Sequence, residues 1–197
     1  MKILFLFLAY FVGSIPSGYI FFRLGEKKDI RSFGSQSTGA TNVLRLKGWK
    51  YAIPVLAIDV LKAVLPVWLA LRLFPDKRIA LGVAFLVVLG HCFPIFIKFR
   101  GGKGVSTAMG AYLVFAPLSF LLSLALFVGV IAATRFVSLG SLLASLSFPF
   151  FAYFLKDDRD LAWLGLAVFA VIALRHAGNI KRLLKGQERK FGQKVRG

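Results

Sequence analysis

The stretch from Phe99 to Gly110, FRGGKGVSTAMG, sets one lysine among three glycines, follows them with hydroxyls, and lies between two strongly apolar runs. Gly101, Gly102 and Gly104 allow backbone amides to turn inward around a ligand, and Lys103 adds a mobile point charge. That is chemistry suited to a phosphate. The nucleotide-binding spacing G-x-x-x-x-G-K-[ST] is not met, because Ile97 stands where the first glycine belongs and Gly104 follows the lysine. A helix opening at Val105 would still offer free amides and the positive end of its dipole to an anion.

Two other polar segments carry comparable signals. In SFGSQSTGATNVLRLKG, Ser32 to Gly48, either Thr38 or Thr41 can cap a short helix on which Asn42 and Arg45, three apart, share a face. A helix end, an amide and a guanidinium then make an anion clamp. In LRHAGNIKRLLKGQERK, His176 and Asn179 are again three apart, while Arg175, Lys181, Arg182 and Lys185 read as contacts to lipid headgroups. In FVSLGSLL, Ser138 and Ser141 either cap a helix or line a site.

The elements that must hold these segments are membrane spans. The chain has 197 residues, 58% of them hydrophobic, more than a soluble domain of this size hides from water. Spans of about 20 apolar residues are expected at Ile3–Phe22, Tyr51–Leu73, Ala80–Phe99, Leu139–Leu155 and Leu161–Leu174. The run Val105–Thr134, about 30 residues, is too long for one straight span, and a turn at Ala116, Pro117 and Leu118 would split it in two. With that split, 19 of the 26 basic residues fall on one face of the membrane; without it, the basic tail and the basic first loop lie on opposite faces. The expectation is therefore an all-α integral membrane protein of about seven transmembrane helices, N-terminus outside and C-terminus cytoplasmic, with residues 1–197 forming one polytopic domain. MKILFLFLAYF continues apolar past any small-residue cleavage pattern and reads as a retained first helix, and the final VRG reads as a cloning remnant. The formal charge of +18 suits anionic lipid or an anionic substrate, and the single cysteine, Cys92, forms no internal disulfide.

Inside the second span Asp59 and Lys62 stand three apart, which reads equally as a self-neutralising lock or as functional charge. His91, close before Pro94, is expected to satisfy backbone groups loosened by the proline.

Taken together, GSQSTGATNVLR, GHCFPIFIKFRGGKGVST and RHAGNIKRLLKGQE, with GSIPSGYI and DVLK, resemble the bacterial acyl-phosphate:glycerol-3-phosphate acyltransferase family, PlsY, along nearly the whole chain. The one departure noted is Ala63, where a glycine is expected after DVLK. The resemblance implies a seven-helix fold in the bacterial cytoplasmic (inner) membrane with its site facing the cytoplasm. It implies acyl transfer from acyl phosphate to glycerol 3-phosphate, giving lysophosphatidic acid and phosphate. By position it implies catalytic roles for Ser35, Arg45, Lys103, His176 and Asn179, and substrate binding by Thr41, Asn42, Gly101, Gly102 and Gly104; Ser141, from FVSLGSLL, is a further candidate for substrate binding. Glu188 is implied to be structural.

An acyl phosphate is a mixed anhydride with a good leaving group, so an enzyme for it mainly holds two polyanions close and screens their repulsion. Paired basic clamps fit that task. No H-x-x-x-x-D dyad occurs, since Phe96 and Lys181 stand five residues after His91 and His176. The proton of the attacking hydroxyl goes either to His176 or to a substrate phosphate oxygen. No ligand cluster suggests a metal, no cofactor is expected, and the partners are the two phosphorylated substrates and membrane lipid, not nucleic acid. The rival reading is a membrane transporter of phosphorylated anions or phospholipids, which predicts inverted repeats and helices broken at mid-membrane; the polar segments here cluster at one rim.

Overall fold

In the computed structural model, residues 1–193 are described; the final VRG lies outside them. Among the described residues there are ten α-helices, two short 3-10 turns and no strand. The first span is two helices, α1 (Lys2–Gly13) and α2 (Ser17–Glu26), because Pro16 cannot continue the α1 ladder. A loop with a 3-10 turn at Ile30–Ser32 leads to α3 (Ala40–Lys47), then to α4 (Trp49–Leu73) and α5 (Lys77–Cys92). Asp76 caps α5 by accepting from the Arg78 amide, and Asp158 caps the ninth helix by accepting from Leu161.

The expected split of the long apolar run is where the turn signal placed it. α6 (Val105–Phe115) ends at Ala116, and Pro117 opens α7 (Pro117–Thr134), the position a helix accepts most readily for proline. Next come α8 (Val137–Lys156), α9 (Arg159–Arg175) and α10 (Ala177–Leu184), the last bent 66° away from α9. The third expected span is met by Lys77–Ile97, in which α5 stops at Cys92 and Pro94 starts a 3-10 turn at Ile95–Ile97; Lys98 and Phe99 then both adopt left-handed backbone.

The count of seven spans is not met by length. Among the described residues five segments are long and apolar enough to cross, with α1 taken with α2 and α5 with the 3-10 turn that follows it, and six if α9 is taken with α10. α6 has 11 residues, so it rises about 16 Å, roughly half the hydrocarbon core. The reason lies in the loop before it. Gly104 packs beside Val88 and Cys92 of α5 and Ile172 of α9, so α6 begins alongside the last turn of α5 instead of beyond its end.

Close packing holds the bundle together. A Cβ on Gly13 would overlap the Val87 carbonyl of α5, and one on Gly110 would overlap the Val60 carbonyl of α4, so both pairs meet backbone to backbone. Tyr112 of α6 stacks on Phe148 of α8 with centroids 3.5 Å apart. Leu65, Trp68, Leu121, Phe154 and Trp163 face outward, as lipid contact requires.

Candidate active site

One cavity of about 330 Å³ opens at the rim where α3, α6, the start of α8 and the α9–α10 bend converge. Its polar wall includes Ser35, Thr41, Arg45, Lys103, Ser141 and His176; its apolar wall includes Ile53, Leu56, Met109, Phe127 and Ile131. Residues from four segments far apart in sequence thus share one chamber.

The glycine loop is built differently from a phosphate-cradling nest. The Gly101 amide donates to the Cys92 carbonyl (3.3 Å) and the Gly102 amide to the His91 carbonyl (3.0 Å). These two amides therefore close the end of α5 and do not turn inward on a ligand, as the spacing had suggested. A Cβ on Gly102 would overlap His91 Nε2, and one on Gly101 the His91 carbonyl, which is why both positions need glycine. Gly104, at φ +87°, is the N-cap of α6; the helix has no side-chain cap, and Gly104, Val105 and Ser106 face the cavity. The anion-competent amides are those at the start of α6.

Arg175 fixes this loop from the other side. Its Nε donates to the Gly102 carbonyl (3.1 Å), its Nη2 to the Gly101 carbonyl (3.0 Å), and the guanidinium lies over Phe93. It was expected at the lipid headgroups; the only sequence signal for an inward role is its place beside His176 at a helix end.

A chain of hydrogen bonds runs along the cavity floor. Lys103 Nζ donates to Asn179 Oδ1 (2.6 Å), Asn179 Nδ2 to Glu188 Oε1 (2.7 Å), Ser138 Oγ to the same oxygen (3.1 Å), and Arg182 Nε to Glu188 Oε2 (2.8 Å). Arg182, like Arg175, is thus an internal partner. Ser138 and Ser141 cap nothing: α8 has no side-chain cap, Ser138 serves Glu188, and Ser141 lines the cavity. Burial pushes the Glu188 carboxyl up, and hydrogen bonds from Asn179, Arg182 and Ser138 overcome it and hold it below its ordinary value. Burial pulls Lys103 down to about 8, Glu188 opposes this, and Arg182 and Arg45 add to it. Glu188→Gln sets an amide against donors that need an acceptor. It should cost about 2 kcal/mol, since a hydrogen bond to a charged group contributes about 1.5–3 kcal/mol. Thermal unfolding in detergent should show the lower Tm, and an unchanged Tm would remove Glu188 from its structural place.

The first loop also differs from the expected clamp. Asn42 Oδ1 accepts from the Ser35 amide (2.9 Å), and its Nδ2 donates to the carbonyls of Phe33 (3.1 Å) and Ser37 (2.9 Å). Its amide organises the loop and presents Ser35; it does not reach for an anion with Arg45. Neither Thr38 nor Thr41 caps α3, whose N-cap is Gly39 without a side-chain bond. Among the described residues Arg45 has one weak partner, its Nη2 lying 3.4 Å from the Arg189 carbonyl, and burial lowers its pKa without removing its charge.

His176 follows the last turn of α9, outside the span, and its Nδ1 sits 2.8 Å from the Ile172 carbonyl. A carbonyl only accepts, so the proton is on Nδ1 and the Nε2 lone pair is the ring's remaining polar atom. Burial first, and then the Lys103 charge, lower its pKa to about 4 against the Ile172 bond, so the ring is neutral at ordinary pH. The described tail crosses the cavity mouth. The Phe191 amide donates to the Arg135 carbonyl (2.6 Å), and the Phe191 ring meets Trp49 edge-on at 6.4 Å.

A helical integral membrane protein, with a basic, hydroxyl-lined chamber at one rim that continues into an apolar slot, is the class that fold and site define. The family model described as glycerol-3-phosphate acyltransferase matches residues 3–186. A relative from Thermoanaerobacter sp. (strain X514) named glycerol-3-phosphate acyltransferase is 42% identical over 188 residues, covering 95% of this chain and 94% of its own. One of the same name from Geobacter sulfurreducens is 42% identical over 184 residues, covering 93% and 94%. Among solved structures, the crystal structure of PlsY, an integral membrane glycerol 3-phosphate acyltransferase, in its glycerol 3-phosphate form superposes with TM-score 0.93 at 35% identity, covering 97% of this chain and 96% of that one. Its lysophosphatidic acid form gives 0.88 at 34%, covering 97% and 95%. This chain belongs to the glycerol-3-phosphate acyltransferase family.

Proposed function

We propose that this protein transfers a fatty acyl group from acyl phosphate to glycerol 3-phosphate, releasing 1-acyl-glycerol 3-phosphate (lysophosphatidic acid) and phosphate for phospholipid biosynthesis. The observation that carries the reading is the single cavity joining Ser35, Arg45, Lys103, Ser141 and His176 to an apolar slot between α4, α6 and α7. A polar head with a long apolar tail fits such a shape; a free anion needs only its polar half.

In this reading Arg45, Lys103 and the open amides of α6 hold the two phosphates, with Ser35, Thr41 and Ser141 donating hydrogen bonds beside them. Gly101, Gly102 and Gly104 give the lysine its position, and Asn42 and Asn179 hold Ser35 and Lys103 in place. The glycerol hydroxyl oxygen attacks the acyl carbonyl carbon, the carbon–oxygen bond to phosphate breaks, and the hydroxyl proton leaves. With its pKa near 4, His176 Nε2 is a weak base, whereas a phosphate monoester has its second pKa near about 6. The proton of the attacking hydroxyl therefore goes to a phosphate oxygen, and His176 orients the acceptor substrate by taking a hydrogen bond from the other glycerol hydroxyl on Nε2. The chain acts as one domain in the bacterial cytoplasmic membrane, N-terminus outside. Support comes from the rim loops, which carry most of the basic residues, as cytoplasmic loops do.

Purified protein given glycerol 3-phosphate and either acyl phosphate or acyl-CoA tests the donor. Formation of the new acyl ester from acyl phosphate, with little from acyl-CoA, is expected, because the chamber holds compact phosphates. Equal turnover with the two donors overturns the donor assignment, and no ester from either overturns the reading.

A further inference from the structure

Beneath the glycine loop lies a group of buried polar side chains that the proposed reaction does not use. Lys62 Nζ is 2.8 Å from Asp59 Oδ1, 3.0 Å from the Ile15 carbonyl and 2.9 Å from His91 Nδ1. An ammonium has three donors and no acceptor, and here the three meet a carboxylate, a carbonyl and a ring nitrogen. Asp59 Oδ1 also accepts from Ser17 Oγ (2.6 Å), which ties the α1–α2 break into the group. Lys62 can bond His91 Nδ1 only if that nitrogen carries a lone pair, so the proton of the neutral ring is on Nε2.

That proton has no acceptor among the described residues, although His91 is only 5% exposed. The ring's Nε2 edge lies against Gly102, and His91 forms part of the cavity wall next to Lys103 and the uncapped start of α6. Nε2 is not closed off from the cavity, so this donor is free for what the cavity holds, and a donor that shares a wall with uncapped helix amides and a lysine suits an anion. His176, on the same wall, is held the other way round, with Nδ1 carrying the proton and Nε2 the lone pair.

We infer that His91 is a further substrate-binding residue, its Nε2–H donating to the phosphate held at the glycine loop, with Lys62 and Asp59 fixing its tautomer. The two histidines then face one chamber as opposites, His91 a donor and His176 an acceptor. The acyltransfer reading supplies only the name of the anion, glycerol 3-phosphate.

The sequence has 2 histidines, so the full chain labelled with [15N]histidine gives two ring systems, which His176→Gln assigns. The expected spectrum shows His91 protonated on Nε2 and His176 on Nδ1, with the His91 Nε2–H signal moving saturably as glycerol 3-phosphate, and separately inorganic phosphate, is added. A His91 ring protonated on Nδ1, or an Nε2–H signal that saturating phosphate leaves unmoved, overturns the inference. Kinetics give a second readout. Glutamine places its amide nitrogen near the Nε2 position and asparagine near Nδ1, so His91→Gln should keep KM for glycerol 3-phosphate within about threefold. His91→Asn should raise it about tenfold, with kcat changed less. Equal KM values in the two variants count against it. A protein that makes no acyl ester yet shows the His91 response to phosphate loses the acyltransfer reading and keeps this one; ester formation with a silent His91 does the reverse.

Discussion

Lys103→Met should lower kcat/KM about 10²- to 10³-fold while leaving the protein folded, the loss seen when one preorganised charge or donor is removed from developing negative charge. Lys103 is the cation that the loop carries into the cavity, and its only hydrogen-bond partner among the described residues is a neutral amide, Asn179. Its charge is thus available to substrate. The methionine variant keeps the length and apolar stem of the side chain, so its failure would report the missing charge. The wild-type pH profile supplies an independent reading of the same group. With a pKa near 8, Lys103 is charged below that value and loses its charge as pH rises through it, so kcat/KM should fall above about pH 8. His176, at about 4, should give no acid limb between pH 5 and 7. A profile flat to pH 9.5, or a methionine variant within threefold of wild type, would take Lys103 out of the chemistry.

Gly102→Ala should cost at least about 100-fold in kcat/KM, with kcat falling as well as KM rising. Were the Gly102 amide a phosphate ligand, a methyl group would weaken binding and KM alone would rise. The amide instead bonds the His91 carbonyl, the Gly102 carbonyl accepts from Arg175, and an added Cβ would overlap the His91 ring. The loop must then shift as a unit, moving Lys103 and the start of α6, and a misplacement of about 1 Å in a reacting constellation can cost 10²-fold. Steady-state kinetics on folded protein decide the matter, and a pure KM effect would restore the amide reading.

The sequence exposed what depends on local pattern and concealed what depends on distant partners. The apolar spans, the break at Pro117 and the polar segments containing Ser35, Arg45, Lys103, Ser141 and His176 could all be read, because hydropathy, proline and helical spacing act over a few residues. Asn42 and Arg45 do lie three apart on one short helix, yet spacing could not say that the Asn42 amide would be occupied by Ser35, Phe33 and Ser37. Arg175 and Arg182 looked like lipid contacts since nothing near them in sequence announces Gly101, Gly102 or Glu188 as acceptors. His91 was read as a repair for Pro94, and its partner Lys62 is 29 residues away on another helix.

The low starting point of α6 has a bearing on how a lipid product would depart. Because Gly104 stands level with the last turn of α5, the open amides of α6 sit about one helical pitch, roughly 5.4 Å, below the end of that helix. In the proposed reaction, phosphates held there keep the acyl carbonyl beside the apolar slot between α4, α6 and α7. The newly esterified glycerol phosphate of that reaction is thus formed with its chain already in the slot. Its departure along that slot would not require the chain to pass the polar end of the chamber.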